Sequence, residues 1–221
     1  MLRWTPESRA NQPLRVLCLG AHSDDLEIGC GGTILSLLQA RQDVEICWVV
    51  LSAKPERASE ALQSAELFLQ KAAKKEVLIR DFRDGYFPYI GAAVKDYFEE
   101  LKGMVDPDLI FTHFRNDLHQ DHRLVSELTW NTFRNHFILE YEIVKYDGDL
   151  GNPSTFVHLD RATCERKVGF IRECFKSQAA RQWFSDETYF AVMRLRGLES
   201  AAPDGYAEAF YARKVALMLG S

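Results

Sequence analysis

Residues 44–51 read VEICWVVL, apolar at nearly every position. A strand with one wet face alternates apolar and polar residues. One that does not alternate is buried on both faces, as in a parallel sheet covered by helices. Similar apolar runs occur at 14–20 (LRVLCLG), 77–79 (VLI) and 109–112 (LIFT), with further strands expected at 139–146 and 156–159. Between them the spacing turns helical. Ala58, Ala61, Leu62, Ala65, Phe68, Leu69 and Ala72 predict a helix with one buried stripe. Other helices are expected from 33 to about 41, from 93 to 104 and from 122 to about 136. One more should follow Asp160, a good capping residue, with Cys164, Val168, Ile171 and Phe175 on one face. Strands alternating with helices predict an α/β chain, a three-layer Rossmann-like fold with a mostly parallel sheet. No repeat or linker divides it, so one domain over 1–221 is expected, with 1–13 a surface arm.

Composition narrows the function. The 221 residues are 47% hydrophobic, enough for a sizeable core, and the formal net charge is −5 with no run of Lys or Arg. A nucleic-acid partner is therefore not expected, since it would require a basic stripe. No apolar run approaches the ~20 residues of a membrane span, and the N-terminus lacks a signal peptide's apolar centre. The five cysteines include no Cys-x-x-Cys pair, and Cys18 and Cys47 fall inside apolar strands. Free, buried thiols in a reducing cytoplasm are the simplest reading.

Chemistry concentrates in two places. Ala21-His22-Ser23-Asp24-Asp25-Leu26-Glu27 follows the first strand and runs through Gly29-Cys30-Gly31-Gly32 into a helix. His22 and Asp25, three apart, could address one cation from a tight turn while Asp24 points elsewhere. Alone, the stretch also reads as an Asp-rich helix cap. The second cluster, His119-Gln120-Asp121-His122, lies just beyond the fourth strand, with His122 97 residues beyond Asp25. Parallel strands would deliver both loops to one sheet edge, where open α/β sheets bind ligands. Two His and one carboxylate there make a site with open coordination, as in catalytic zinc centres, and the same donors accept Fe2+.

These residues resemble the LmbE/PIG-L family of zinc-dependent N-deacetylases. The family's first motif, Ala-His-Pro-Asp-Asp-x-Glu with a glycine-rich continuation, is matched by Ala21 to Gly32 with Ser23 in place of proline. Its second, a Pro-Asp-strand segment leading to His-x-Asp-His, is matched by Pro107-Asp108 through His122. Weaker matches are Arg57-Ala58-Ser59-Glu60-Ala61, Asp84-Gly85, Ser177-Gln178 and Ala207-Glu208-Ala209-Phe210. The resemblance implies that His22, Asp25 and His122 hold one zinc ion and that Asp24 is the general base. It implies that His119 assists at the transition state, held by Asp121 if that carboxylate reaches its other nitrogen. Arg57 would bind substrate oxygens, or else pair with Glu60 on its own helix. The implied activity is removal of acetyl from an N-acetylated amino sugar, a small-molecule partner.

Alternatives remain at this level. An amidase on a larger thiol- or sugar-conjugated amide would use the same groups. A dinucleotide module is disfavoured because Gly29-Cys30-Gly31-Gly32 does not fit Gly-x-Gly-x-x-Gly. A non-haem iron oxygenase would be expected on antiparallel strands. A non-catalytic metal- or nucleotide-binding protein would have no need of Asp24. His113, at the exit of the fourth strand, could stand behind the site, but reads more readily as a satisfied half-buried histidine. The C-terminal aromatics, among them Trp183, Phe184, Tyr189 and Phe210, could stack on a sugar face, but most read as core or as contacts of a homo-oligomer.

Overall fold

The structure, a computed structural model, describes residues 12–216. The expected surface arm at 1–13 thus lies almost wholly outside the described residues. Seven strands form one sheet: β1 (Leu14–His22), β2 (Val44–Ser52), β3 (Lys74–Ile79), β4 (Leu109–His113), β5 (Phe137–Tyr141), β6 (Thr155–Leu159) and β7 (Tyr206–Ala212). Their order is β3-β2-β1-β4-β5-β7-β6. The first five are parallel, and β7 runs antiparallel between β5 and β6. This is the mostly parallel α/β sheet that the apolar runs predict.

Alternate residues of the central strands feed two cores. Val16, Cys18, Ile46, Trp48 and Val50 pack beneath α1 (Asp25–Ala40), α2 (Pro55–Phe68), α5 (Arg161–Cys174) and α6 (Asp186–Glu199). Leu17, Leu19, Cys47, Val49 and Leu51 face α3 (Gly91–Met104) and α4 (Gln120–Thr132) on the other side. The lack of alternation in 44–51 is thus two apolar faces on one strand. Strand order reverses at β1, flanked by β2 and β4. The loops after β1 and β4 therefore open at a topological switch point, where crossovers leave a crevice.

Several boundaries differ from expectation. Leu62 is 49% exposed, so the buried stripe of α2 runs through Ala61, Ala65 and Phe68 without it. Helix α4 ends at Thr132, because Phe133 turns into the core and the polar Arg134-Asn135-His136 offers no apolar face for another turn. Strand β5 stops at Tyr141, and the next residue, Glu142, is gripped by Arg196 of α6 at 2.6 and 2.8 Å. Neither α6 nor β7 was evident from the sequence.

The seating of α1 explains its glycines. A Cβ on Gly29 would lie 2.2 Å from the ring of Tyr141, and one on Gly32 would meet Leu159 at 2.7 Å and Glu208 at 2.9 Å. The Glu208 carboxylate accepts from the successive amides of Gly32 (2.8 Å) and Thr33 (2.6 Å). Lys167 of α5 donates to Glu208 (2.6 Å) and to the carbonyl of Ile28 (2.7 Å). A buried ion pair thus fastens the helix to the far end of the chain. Gly29→Ala should force α1 off Tyr141 and cost roughly 1–3 kcal/mol, as overpacking does. Denaturant melts of the variant check this; a wild-type midpoint would mean that the seating is slack.

Candidate active site

His22 ends β1, in register with Ser52 of β2, so its backbone is fixed by the sheet. Asp24 caps α1 and Asp25 opens it, while His119 caps α4 and His122 lies in its first turn. Sheet geometry brings these termini together. His22 Nδ1 lies 3.3 Å from Asp25 Oδ2 and 3.1 Å from His122 Nε2, and His122 Nε2 lies 3.5 Å from Asp25 Oδ2.

The hydrogen-bond network settles which lone pairs face inward. His122 Nδ1 is 2.9 Å from Asp117 Oδ2, so it carries the proton and leaves Nε2 bare. His22 Nε2 approaches Asp84 (3.1 Å) and Asp121 (3.3 Å), which turns Nδ1 toward Asp25 and His122. Burial and the neighbouring His113 lower His122 to about 3, so its ring is neutral. Burial opposes ionisation of Asp25, but His122, His113 and His22 outweigh it and hold its carboxyl well below the usual range. His122 thus offers a neutral imidazole lone pair beside the anionic oxygen of Asp25. Burial opposes charge on His22, but Asp25, Asp121 and Asp84 outweigh it and raise it well above its ordinary range, so its ring holds a proton that a cation would displace. A tetrahedral ion with ligands at ~2.0–2.1 Å needs donor atoms about 3.3–3.4 Å apart, close to these separations. The residues present fit a divalent cation, and all three line the cleft.

Asp24 stands outside that triangle. Its Oδ1 accepts from Arg57 Nη2 at 2.9 Å, whereas Arg57 lies 3.8 Å from Glu60. Glu60 instead binds the backbone and hydroxyl of Ser177 (2.8 and 2.6 Å). The guanidinium therefore has a third partner beyond the two that the sequence suggested. Burial raises Asp24 above the ordinary carboxylate range, with Arg57 pulling the other way.

His119 Nδ1 accepts the backbone N–H of Asp121 at 3.2 Å, which leaves Nε2–H as its free donor. The Asp121 carboxylate does not reach His119 as anticipated. Besides His22 it binds the amides of Gly85 (2.6 Å) and Phe87 (3.0 Å), because the β3–α3 loop crosses directly over it. Gly85 makes that loop possible at φ +77°. His113 is fully buried rather than half-buried. Its ring stacks on His122 at 3.9 Å between centroids, and its Nε2 accepts from Ala21 N–H at 2.9 Å.

A cleft of about 450 Å³ opens over the cluster, lined by Lys54, Arg57, Asp84 and His119 on one side and Val144, Lys145, Gln178, Arg181 and Trp183 on the other. Sequence reasoning missed Asp117 and Lys145. The signal for Asp117 was its place five residues before His122, one helical entry turn away.

Fold and cluster define an α/β protein with a cluster of histidines and carboxylates that could hold a metal ion, at a sheet switch point. Residues 17–133 match the family of GlcNAc-PI de-N-acetylases, PIG-L, and the chain belongs to that family. Similar solved structures include the conserved protein TT1542 from Thermus thermophilus (20% identity, TM-score 0.73, covering 93% of this chain and 97% of that one). Another is N,N'-diacetylchitobiose deacetylase from Pyrococcus horikoshii (21%, 0.64, 89% and 82%). A third is GalB, a 4-carboxy-2-hydroxymuconate hydratase from Pseudomonas putida (19%, 0.67, 94% and 99%). At these identities the likeness is one of fold, and the fold carries more than one reaction. No helix among the described residues is long and apolar enough to cross a membrane.

Glu27, beneath the site, is fully buried with neither oxygen hydrogen-bonded, and burial pushes it up to about 8 from an ordinary 4.5. Between those values the folded chain keeps a proton that the unfolded chain releases, so its contribution to stability falls as pH rises. In metal-free protein, Glu27→Gln should match wild type near pH 4 and exceed it by a few kcal/mol above pH 8. Denaturation at both pH values checks the sign; equal gains at both would sink it.

Proposed function

We propose that this protein is a zinc-dependent N-deacetylase that hydrolyses the acetamide of an N-acetylated amino sugar. The observation that carries the reading is the pairing of two unlike neighbours. Asp25 sits among three imidazoles, while Asp24 faces the cleft beside Arg57. In this reading His22 Nδ1, Asp25 Oδ2 and His122 Nε2 hold the ion. When bound, zinc supplies Lewis acidity that polarises an amide carbonyl and acidifies water.

The chain's own groups do the rest. Asp24, made more basic by burial, takes the proton of the attacking water and then delivers it to the departing amine. Arg57 fixes the orientation of that carboxylate through their 2.9 Å bond. His119, its Nδ1 engaged, offers Nε2–H to the oxygen on which negative charge develops. Asp121 acts at one remove, by holding His22 and the loop at Gly85. Trp183 and Gln178 on the cleft wall offer an apolar face and an amide suited to a sugar ring. Family membership supports the reaction class, and the Pyrococcus horikoshii neighbour is by name a deacetylase of an acetylated sugar.

Asp24→Asn should retain zinc and the fold while losing about 10²–10⁴-fold in rate, since an amide cannot accept the proton. Asp25→Asn should instead lose zinc, with activity partly restored by excess ion. Metal content, and acetate release from a panel of N-acetylated sugars and sugar conjugates, are measured on both variants side by side. Loss of metal from Asp24→Asn with retention in Asp25→Asn would reverse the roles. Absence of acetate release across the panel would defeat the reaction itself.

A further inference from the structure

One charged group on the cleft wall has no part in the reaction just described. Lys145 follows β5 and is 12% exposed; its ammonium lies 2.9 Å from Asp117 Oδ2. That same oxygen lies 2.9 Å from His122 Nδ1. Lysine and histidine therefore compete for one carboxylate oxygen. Asp117 does not depend on Lys145 for its position. Its Oδ1 accepts from the backbone of His119 at 2.8 Å, and Arg123 holds its carbonyl at 3.2 Å. The ammonium also binds Asp149, whose Oδ2 accepts from Leu118 N–H at 2.7 Å.

A carboxylate hydrogen-bonded to the far nitrogen of a ligand histidine pushes electron density through the ring and strengthens the metal bond. A cation on the same carboxylate oxygen withdraws part of that density. We propose that Lys145 is a positioning residue that acts through Asp117 to weaken the grip of His122 on the ion. The ion stays bound but more strongly electron-withdrawing toward substrate. This rests on His122 being a ligand, as the proposed function has it. The sign is unusual: a side chain packed near a metal site normally supports binding, whereas removing this one should tighten it.

The test is Zn2+ affinity of the full chain, measured by competition with a chromophoric chelator. Lys145→Met should bind Zn2+ roughly 3–10-fold more tightly, and Lys145→Gln should do the same if the larger change disturbs folding. Lys145→Arg, which restores the charge, should stay within about twofold of wild type. Asp117→Asn should weaken binding about 10–100-fold, and adding Lys145→Met to it should change nothing further. Unchanged or weaker binding in both neutral variants overturns the proposal, as does a full Lys145→Met effect without the Asp117 carboxylate. If wild type binds no Zn2+, or His122→Ala keeps it, the proposed function falls as well. A His122-dependent site indifferent to Lys145 defeats only the present inference.

Discussion

The site depends on how closely one helix is seated against the sheet and the helices and strands around it. Helix α1 carries Asp25 in its first turn and Asp24 at its cap, yet its next stretch is Gly29-Cys30-Gly31-Gly32, which offers almost no side chain for packing. Leu26, Ile28, Ile34, Leu35 and Leu38 bury on either side of that stretch, and at the stretch itself the Glu208–Lys167 pair, 4% and 3% exposed, grips the backbone. Removing one member of such a pair strands the other charge in the core, typically at about 3–5 kcal/mol. The glycines and the ion pair are one device. Without side chains the helix approaches Tyr141 and Glu208 closely, and that approach brings its amides within reach of the carboxylate.

The same contact passes the constraint on to the chemistry. Tyr141, against which Gly29 packs, donates to the carbonyl of Leu19 (2.7 Å) and lies 3.1 Å from His113 Nε2. His113 in turn backs His122 and sits 3.2 Å from Asp25. The two halves of the cluster are thus separately anchored, one through β1 and α1, the other through β4 and α4. They meet over a shared tyrosine–histidine floor.

What was legible in the sequence follows from this arrangement. Local patterns carry local geometry: apolar runs marked β1, β2 and β4, and the two motifs marked the loops beyond them. His22, Asp25, His119 and His122 could be read because each sits at the end of β1 or at the start of the helix that follows β1 or β4. Strand β7 could not be read, since its buried Glu208 breaks the apolar pattern and its neighbours come from distant parts of the chain. Arg57 was visible as a residue but not as a partner of Asp24, because it is the pairing of β1 with β2 that brings α2 beside the α1 cap. Asp117 and Lys145 were illegible for a similar reason: their meaning lies in one shared oxygen between β4 and β5 loops.

Five aspartates crowd this sheet edge, and their bonds separate them more sharply than their chemistry does. Asp121 is tied to two backbone amides, Asp117 to one amide and two side chains, and Asp25 to the N–H of His22 at 2.6 Å. Asp84 is 65% exposed and leans on His22. Asp24 alone among them is buried in the cleft wall with a guanidinium on a long side chain as its hydrogen-bond partner. A carboxylate fastened to backbone donors cannot take up a proton without breaking those bonds, which favour its charged form. One held by a side chain can release an oxygen while the backbone stays still. In the proposed reaction it is that difference in fastening, not side-chain chemistry, that would fit Asp25 to hold an ion and Asp24 to move a proton.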